Sequence, residues 1–302
     1  CFMQKEMHEQ PRALADTIDG RIRDGFVSFE GDGLPDGFFK NVTKLYISAC
    51  GTAMYSGMVG KAIIEKLARL PVEVEVASEL RYRDPLFTPG CAAVVVSQSG
   101  ETADTLAALR LFKENNIPVI GIVNVVGSSI AREADYCLYT YAGPEIAVAS
   151  TKAYSVQVAM MYLLGFRIAA DQGAPMDWCR AQLPELLNAI SYLPHVLAME
   201  PEFFRYAQNW QEYRCGGVFR EQSPIFMHNS YVYFASYLTP ILSGFKYEYP
   251  QMFHTPDDRW STPASLTFYV NRVHGHCLRQ LSDCQCVAKR AFRASETGCF
   301  SS

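Results

Sequence analysis

Residues 1 to about 200 alternate between apolar runs of strand length and longer helical patterns, and this alternation restricts the fold more than any other feature. Apolar runs bounded by turn signals are typical of buried strands. We predict strands at Lys44–Ala49, Val72–Ala77, Ala92–Ser97, Val119–Asn124 and Tyr136–Tyr139. We predict helices at Lys5–Thr17, Thr52–Arg69, Glu101–Asn115, Thr151–Ala170 and Asp177–Met199. Strands separated by helices pair in parallel, so the pattern predicts an α/β domain whose five-stranded sheet is covered on both faces.

The overall composition argues against several classes of protein. The 302 residues carry a net charge of −4, and Lys and Arg are scattered rather than gathered into the basic patch of a nucleic-acid-binding protein. No signal peptide is recognised at the start. The ten cysteines form no short regular framework, and Cys50 and Cys91 lie in or beside apolar runs, as buried thiols do. A reducing, cytoplasmic setting is therefore predicted.

The two ends of the sequence need separate interpretation. Cys1 precedes the entrance to a predicted helix, and we interpret it as a point within a longer protein rather than as an N-terminal nucleophile. From residue 204 to residue 302 the succession of strands and helices stops. Within that region Ser223–Phe245 carries no charged residue and has the length of a membrane span of ~20 residues. His228, Asn229 and Pro240 favour a core or weakly folded segment instead, because polar groups inside lipid are costly, so we predict no membrane span.

A group of histidines and cysteines in the same region raises the question of a metal site. Its members are His274, His276, Cys277, Cys284 and Cys286. Their spacings are His-x-His-Cys and Cys-x-Cys, whereas structural zinc sites use cysteine pairs separated by two to four residues. We therefore predict no metal.

A polar segment follows the third predicted strand and opens a helix. It consists of Ser97, Gln98, Ser99, Gly100, Glu101 and Thr102. The N-terminus of a helix leaves backbone N–H groups without partners and favours an anion, and the hydroxyls and the amide add further donors. No Gly-Lys-Ser/Thr follows, so the segment is not a Walker loop. The residues alone leave two interpretations open: a phosphate site, or a helix capped by Ser99 and Thr102 without any ligand.

Two more polar junctions lie at strand-to-helix connections. Cys50, Gly51 and Thr52 follow the first strand, and Glu145–Lys152 precedes the long helix, which Ser150 or Thr151 would cap. The carboxyl ends of parallel strands meet at one edge of the sheet, where open α/β sheets bind ligands, so three such junctions predict a pocket. We interpret Glu101 and Glu145, the carboxylates near this edge, as structural groups at helix ends, and we assign no residue a catalytic role.

These junctions, together with Ala77–Arg83, resemble the motifs of the sugar isomerase (SIS) domain. The opening Phe2–Pro11 narrows the likeness, since it resembles the segment that enters the isomerase part of the glutamine–fructose-6-phosphate aminotransferase (isomerizing) family, the glucosamine-6-phosphate synthases. The resemblance covers residues 2 to about 200. It implies a three-layer α-β-α fold for residues 1–203, binding of fructose 6-phosphate and glucosamine 6-phosphate, amino-sugar synthesis without metal or organic cofactor, and a homo-oligomer.

The resemblance also implies a division of roles among the candidate residues. Phosphate would be held by Ser97, Gln98, Ser99 and Thr102. The sugar would be lined by Cys50, Gly51, Thr52 and Val148, with Ser150 as a weaker candidate. Some family members carry a serine phosphate ligand directly after Cys-Gly-Thr, where this chain has Ala53, so one contact is expected to be missing.

The sequence departs from the family pattern in whole regions. No glutaminase domain and no second SIS domain are recognisable, and the catalytic Glu, His and Lys that the family carries in its second half have no counterpart after residue 204. We interpret residues 204–302 as a divergent or truncated second domain, or as out-of-frame sequence. Other SIS enzymes, such as a fructosamine-phosphate deglycase, and a non-catalytic sugar-phosphate sensor remain the alternative functions.

Overall fold

The apolar runs form the strands that their pattern predicts, with boundaries that differ by at most one residue. The structure, a computed structural model, describes residues 2–147 and 149–201, which belong to one compact unit. The strands are β1 (Ile22–Arg23), β2 (Phe26–Val27), β3 (Lys44–Ala49), β4 (Val72–Val76), β5 (Cys91–Ser97), β6 (Val119–Val123) and β7 (Tyr136–Tyr139). The last five form a parallel sheet in the order β4-β3-β5-β6-β7, which confirms the predicted five-stranded sheet. The tail from residue 204, including Ser223–Phe245 and the histidine–cysteine group, lies outside the described residues.

The helices cover both faces of this sheet. They are α1 (Phe2–His8), α2 (Gln10–Ile18), α3 (Gly51–Ala68), α4 (Ala77–Leu80), α5 (Ala103–Glu114), α6 (Ser129–Glu133), α7 (Lys152–Asp171), α8 (Met176–Ser191) and α9 (Leu193–Leu197). Successive residues of a strand point to opposite faces. Leu45 and Ile47 accordingly share a core with α2, α3 and α7, while Tyr46 and Val95 share a second core with α4, α5 and α6. The three-layer α-β-α fold is thereby confirmed.

Two predicted helices are each divided in two, and a proline lies at each division. The prediction Lys5–Thr17 becomes α1 and α2, and Pro11 lies in the first turn of α2. The prediction Asp177–Met199 becomes α8 and α9, and Pro194 lies in the first turn of α9. Proline has no N–H to donate, so a continuous helix would lack one backbone hydrogen bond at each of these positions, although α8 continues through Pro184.

A short hairpin precedes the sheet and was missed by the sequence prediction. Strands β1 and β2 pair antiparallel, with Arg23 opposite Phe26. The two residues between them, Asp24 and Gly25, have φ values of 48° and 73°. An Asp-Gly pair with two positive φ angles is the preferred connection of a two-residue hairpin, so the dipeptide itself was the available signal.

Charged side chains occupy the edge strand β4. Glu73 and Glu75 are half-buried and separated by one residue, and Arg83 contacts both carboxylates at 2.9 and 2.8 Å. Lys44 also pairs with Glu73, and its hydrogen bond is the main reason why the pKa of Glu73 falls to about 2. Burial is the main reason why the pKa of Glu75 rises. The exposed edge of the sheet is therefore lined with paired charges rather than apolar side chains.

Helix α7 is the most buried helix among the described residues. By length and composition it would be long enough and apolar enough to cross a membrane, yet 83% of its most apolar window is buried inside the fold. It packs along α3 at a distance that glycines permit. A Cβ on Gly60 of α3 would lie 2.6 Å from Met161 Sδ, and a Cβ on Gly165 of α7 would lie 2.7 Å from Ile63 Cγ2.

This contact generates a stability prediction. Replacing Gly165 with Ala should lower the free energy of unfolding by about 1 to 3 kcal/mol, because the added methyl overpacks the α3–α7 contact. Gly20→Ala is the matched control, since its Cβ would meet nothing within 4 Å and its φ is ordinary. We expect the control to be neutral or stabilising by up to about 1 kcal/mol. Urea denaturation of both variants measures the difference, and equal free energies of unfolding would contradict the close packing.

Candidate functional site

The first two polar junctions lie side by side where the connections from two neighbouring strands leave toward opposite faces of the sheet. β3 is followed by α3 on one face, whereas the neighbouring strand β5 is followed by α5 on the other face. Ala49 pairs with Val96, so Cys50 and Ser97 continue the two strands at the same level. A crevice opens at such a switch point, outside the carboxyl ends of the strands. The structure therefore places Cys50–Thr52 and Ser97–Thr102 at one edge, beside each other.

The segment Ser97–Thr102 is held in shape by its own side chains. Ser97, which is 3% exposed, accepts a hydrogen bond from the Gly100 N–H at 3.0 Å and shares one with Thr102 Oγ1 at 2.9 Å. Ser99 Oγ accepts the Glu101 N–H at 3.2 Å. The backbone also joins the next strand, since the Asn124 N–H donates to the Gln98 carbonyl at 3.1 Å. The segment is thus a preformed turn at the start of α5.

Side-chain capping of α5, one of the two interpretations left open by the sequence, is wrong in its detail. Thr102 is the N-cap residue, but its side chain makes no hydrogen bond to the helix backbone and bonds Ser97 instead. Ser99 bonds Glu101, which precedes the helix. The first N–H groups of α5 therefore receive no side-chain cap from Thr102, and they keep the partial positive charge that favours an anion.

A glycine allows this turn to lie against its neighbour. Gly100 has a φ of +67°, and a Cβ built on it would lie 2.0 Å from Ser128 Oγ. Ser128 is 3% exposed and its hydroxyl has no hydrogen-bond partner in the described part of the chain. Ser128 is the N-cap residue of α6, so the turn and α6 are in direct contact. Ser128 was not predicted as a site residue, because only the fold brings it to Gly100.

The junction after β3 is simpler. Cys50 is the N-cap residue of α3 and makes no capping hydrogen bond, and its free thiol is half-buried. Gly51 follows with a φ of +57° and is exposed, and Thr52 is half-buried. All three residues lie at the carboxyl edge of the sheet, and their contact with a sugar stays a prediction. Ala53, where some family members carry a serine, is buried.

The third junction is a long loop between β7 and α7 that is fixed from several sides. Asn124, at the end of β6, donates to the Gly143 carbonyl and accepts the Ala142 N–H, both at 2.8 Å. Glu145 accepts the N–H groups of Thr151 at 2.8 Å and Ala153 at 3.1 Å. Thr151 is the N-cap residue of α7, one of the two residues expected there, but its hydroxyl makes no capping hydrogen bond, and the Glu145 carboxylate accepts the N–H groups instead.

Ser150 itself takes part in this arrangement. It is half-buried, and its hydroxyl donates to Glu145 Oε2 at 3.2 Å. Its neighbour in the proposed sugar site, Val148, lies outside the described residues, and its role stays a prediction. Ser150 and Ser97 are both described, and no hydrogen bond joins them: Ser150 contacts Glu145, and Ser97 contacts Gly100 and Thr102.

Both carboxylates that the sequence places near the pocket have structural roles, as interpreted. Glu145 caps α7, and Glu101 Oε1 accepts the Ser129 N–H of α6 at 2.7 Å. Hydrogen bonds from Ser129 hold the pKa of Glu101 below its ordinary value. Both carboxylates therefore accept backbone N–H groups in the described structure.

Glu6 in α1 and Glu9 directly after it carry charges that were not predicted to contact the loop before α7. Glu6 is 2% exposed, and its carboxylate accepts the N–H groups of Ile146 at 2.6 Å and Ala147 at 3.2 Å. Glu9 contacts Lys152 Nζ at 2.7 Å, and this hydrogen bond is the main reason why its pKa is lowered. The side chain of Lys152 is 2% exposed. Lys152 is a lone charge at the start of an apolar helix, and this position could have indicated a buried ion pair.

No metal site emerges from residues 2–147 and 149–201, where no group of three or more His, Cys, Asp or Glu side chains is suitably arranged. The four cysteines in these ranges, Cys50, Cys91, Cys137 and Cys179, are free. Burial raises the pKa of the Cys91 thiol, as expected for a small buried side chain.

Comparison with known proteins identifies the domain that contains these junctions. Residues 38–167 match the model of the SIS domain. The chain is 55% identical over 172 residues to a glutamine–fructose-6-phosphate aminotransferase (isomerizing) of Clostridium acetobutylicum, covering 57% of this chain and 28% of that protein. It is 48% identical over 194 residues to the enzyme of the same name from Caldanaerobacter subterraneus, covering 64% of this chain and 31% of that protein. The chain thus spans about a third or less of the length of these curated relatives.

Solved structures agree with these sequence matches. The C-terminal domain of glucosamine-fructose-6-phosphate aminotransferase from Francisella tularensis is 37% identical, with a TM-score of 0.65, covering 69% of this chain and 59% of that one. A putative phosphosugar isomerase from Clostridium difficile is 22% identical, with a TM-score of 0.56, covering 69% of this chain and 56% of that one. The second likeness shows the fold alone.

The contact between Gly100 and Ser128 generates a prediction about the turn. Gly100→Ala and Gly127→Ala both place alanine at a positive φ, +67° and +72°, but a Cβ at position 127 would meet nothing within 4 Å. Gly127→Ala should therefore cost about 1 to 2 kcal/mol of stability from backbone strain alone. Gly100→Ala should cost about 1 to 3 kcal/mol more, because the methyl also collides with Ser128. Chemical denaturation measures both variants, and an equal cost would show that the turn does not pack on Ser128.

Proposed function

Because residues 38–167 match the SIS domain, we propose that this chain binds sugar phosphates, specifically fructose 6-phosphate and glucosamine 6-phosphate. In this proposal it contributes to the isomerase part of a glucosamine-6-phosphate synthase, which transfers ammonia derived from glutamine to fructose 6-phosphate. The curated relatives carry the name glutamine–fructose-6-phosphate aminotransferase, and their high identity over the described region supports this substrate rather than another sugar phosphate.

The observation that carries the proposal is the preformed turn Ser97–Thr102 at the N-terminus of α5. A sugar phosphate presents several oxygens with negative charge, and the turn offers backbone N–H groups, the Ser99 hydroxyl and the Gln98 amide at one end of the helix dipole. Gly100 lets the backbone adopt this turn. Cys50, Gly51 and Thr52, at the same level of the sheet, are then within reach of the sugar.

The proposed reaction requires more than this site. Opening of the sugar ring, imine formation with ammonia and proton transfer between C1 and C2 need a positioned acid and base. We assign none of these roles to a described residue. The proposal also includes two partners, the glutaminase part that supplies ammonia and the second SIS domain. It further includes a homo-oligomeric state and a cytoplasmic setting. No cofactor or metal is invoked.

One observation favours a second candidate function, a sensor that binds the sugar phosphate without converting it. Glu101 and Glu145, the carboxylates placed nearest the pocket by the sequence, are both engaged as helix caps. If the part of the chain outside the described residues supplied no base either, the chain would bind and release its ligand unchanged. Another SIS enzyme, such as a fructosamine-phosphate deglycase, would share the phosphate turn but act on a different sugar derivative.

Ligand binding is tested by thermal unfolding of the full chain. Fructose 6-phosphate at about 100 times its Kd should stabilise the native state by about 2.7 kcal/mol, because it binds the folded form, and should raise Tm by several degrees. Replacing Ser97 and Ser99 together with Ala should abolish the increase. Thr43→Ala, which removes an exposed hydroxyl before β3, is the control and should keep it. A double variant that responds as the wild type does would overturn the phosphate assignment.

A second measurement separates the enzyme from the sensor. The full chain is incubated with fructose 6-phosphate and ammonia, and glucosamine 6-phosphate is quantified. Product formation that is lost with Ser97→Ala and Ser99→Ala would support the enzyme. Binding without product would support the sensor, and product from a different sugar phosphate would support another SIS enzyme.

A further inference from the structure

We infer that Glu6 of α1 is a positioning residue for the sugar side of the site, an inference that rests on the proposed function. Glu6 does not belong to the SIS motifs and lies more than 130 residues before the loop that it contacts. It acts by holding the backbone between β7 and α7, which leads directly into Val148, Ala149 and Ser150.

The Glu6 carboxylate contacts the backbone of this loop directly. Its side chain is almost fully buried, and the structure describes no cation paired with it, so its charge is satisfied by the N–H groups of Ile146 and Ala147. Hydrogen bonds to an ionised acceptor are about twice as strong as neutral ones. Two consecutive N–H groups directed at one carboxylate determine the course of the backbone at that point.

The other end of the loop is fixed to the residues that directly follow α1. Lys152, the first residue of α7, directs its buried ammonium to Glu9 at 2.7 Å, and Glu9 also contacts Lys5 at 3.1 Å. Gln10, at the start of α2, accepts the Ser155 hydroxyl at 2.5 Å. Ile146 and Ala147 on one side, and Lys152 and Ser155 on the other, are therefore attached to residues 6–10.

Between these attachments lie the residues proposed to line the sugar. Glu145 bonds the Thr151 N–H within the loop, and Asn124 holds Gly143 at the end of β6. The turn at Ser97–Thr102 also contacts Asn124, through the backbone N–H of that residue, and it packs on Ser128, but no described contact joins the turn to Glu6. Loss of the Glu6 carboxylate should therefore disturb recognition of the sugar and leave the phosphate turn intact.

The experiment compares two ligands and one structural probe in the full chain. Glu6→Ala removes the acceptor, and Glu6→Gln keeps one acceptor oxygen and removes the charge. Glu185→Ala, at an exposed position of α8, is the control. Hydrogen exchange of the Ile146 and Ala147 amides reports the loop without ligand. Titrations with fructose 6-phosphate and with inorganic phosphate report the two parts of the site.

In Glu6→Ala we expect faster exchange at both amides, a Kd for fructose 6-phosphate that rises about tenfold, and a Kd for inorganic phosphate that changes less than about twofold. Glu6→Gln should lie between Glu6→Ala and the wild type. Faster exchange with an unchanged Kd for fructose 6-phosphate overturns the inference alone. Equal losses for both ligands also overturn it, since they indicate a general defect. Wild-type protein that does not bind fructose 6-phosphate overturns the proposed function, and the positioning role with it.

Discussion

The close contact between α3 and α7 determines where the candidate site is formed. Glycines at positions 60 and 165 let the two helices approach until a methyl group would not fit between them. Each helix begins at the carboxyl edge of the sheet, one after Cys50 and the other after Thr151. Since α7 follows the edge strand β7 but must reach α3, its connecting loop has to cross the end of β6. The packing of α7 on α3 thereby brings the loop between β7 and α7 toward the switch point between β3 and β5.

Most of the sheet and its layers could be predicted because the information is local. Apolar runs such as Cys91–Ser97 are buried on both faces, and each run lies between turn signals. The errors concern local chemistry that was present but not used. Pro11 and Pro194 divide helices because a missing N–H interrupts the hydrogen-bond series. The Asp24–Gly25 pair specifies a hairpin through two positive φ angles.

The site was predictable only in part, and the reason is physical. Cys50 and Ser97 could be placed together because parallel strands end at a common edge. The hydrogen bonds made by each polar side chain could not be predicted, because they depend on distant partners. Ser128 reaches Gly100 only through the arrangement of α6 on the sheet, and Glu6 reaches Ile146 across 140 residues of chain. Glu145 replaced the expected hydroxyl caps because a carboxylate can accept several N–H groups at once.

The charged edge strand β4 has a consequence for self-association. A second copy that added its own β4 to this edge would bring Glu73 and Glu75 of both molecules together, and their attachments to Lys44 and Arg83 would have to be broken. Extension of the sheet from molecule to molecule is disfavoured at this edge. Chains of this kind are thereby protected against open-ended polymerisation through β4, and any closed assembly of copies would have to use the outer surfaces of the helices or other parts of the chain.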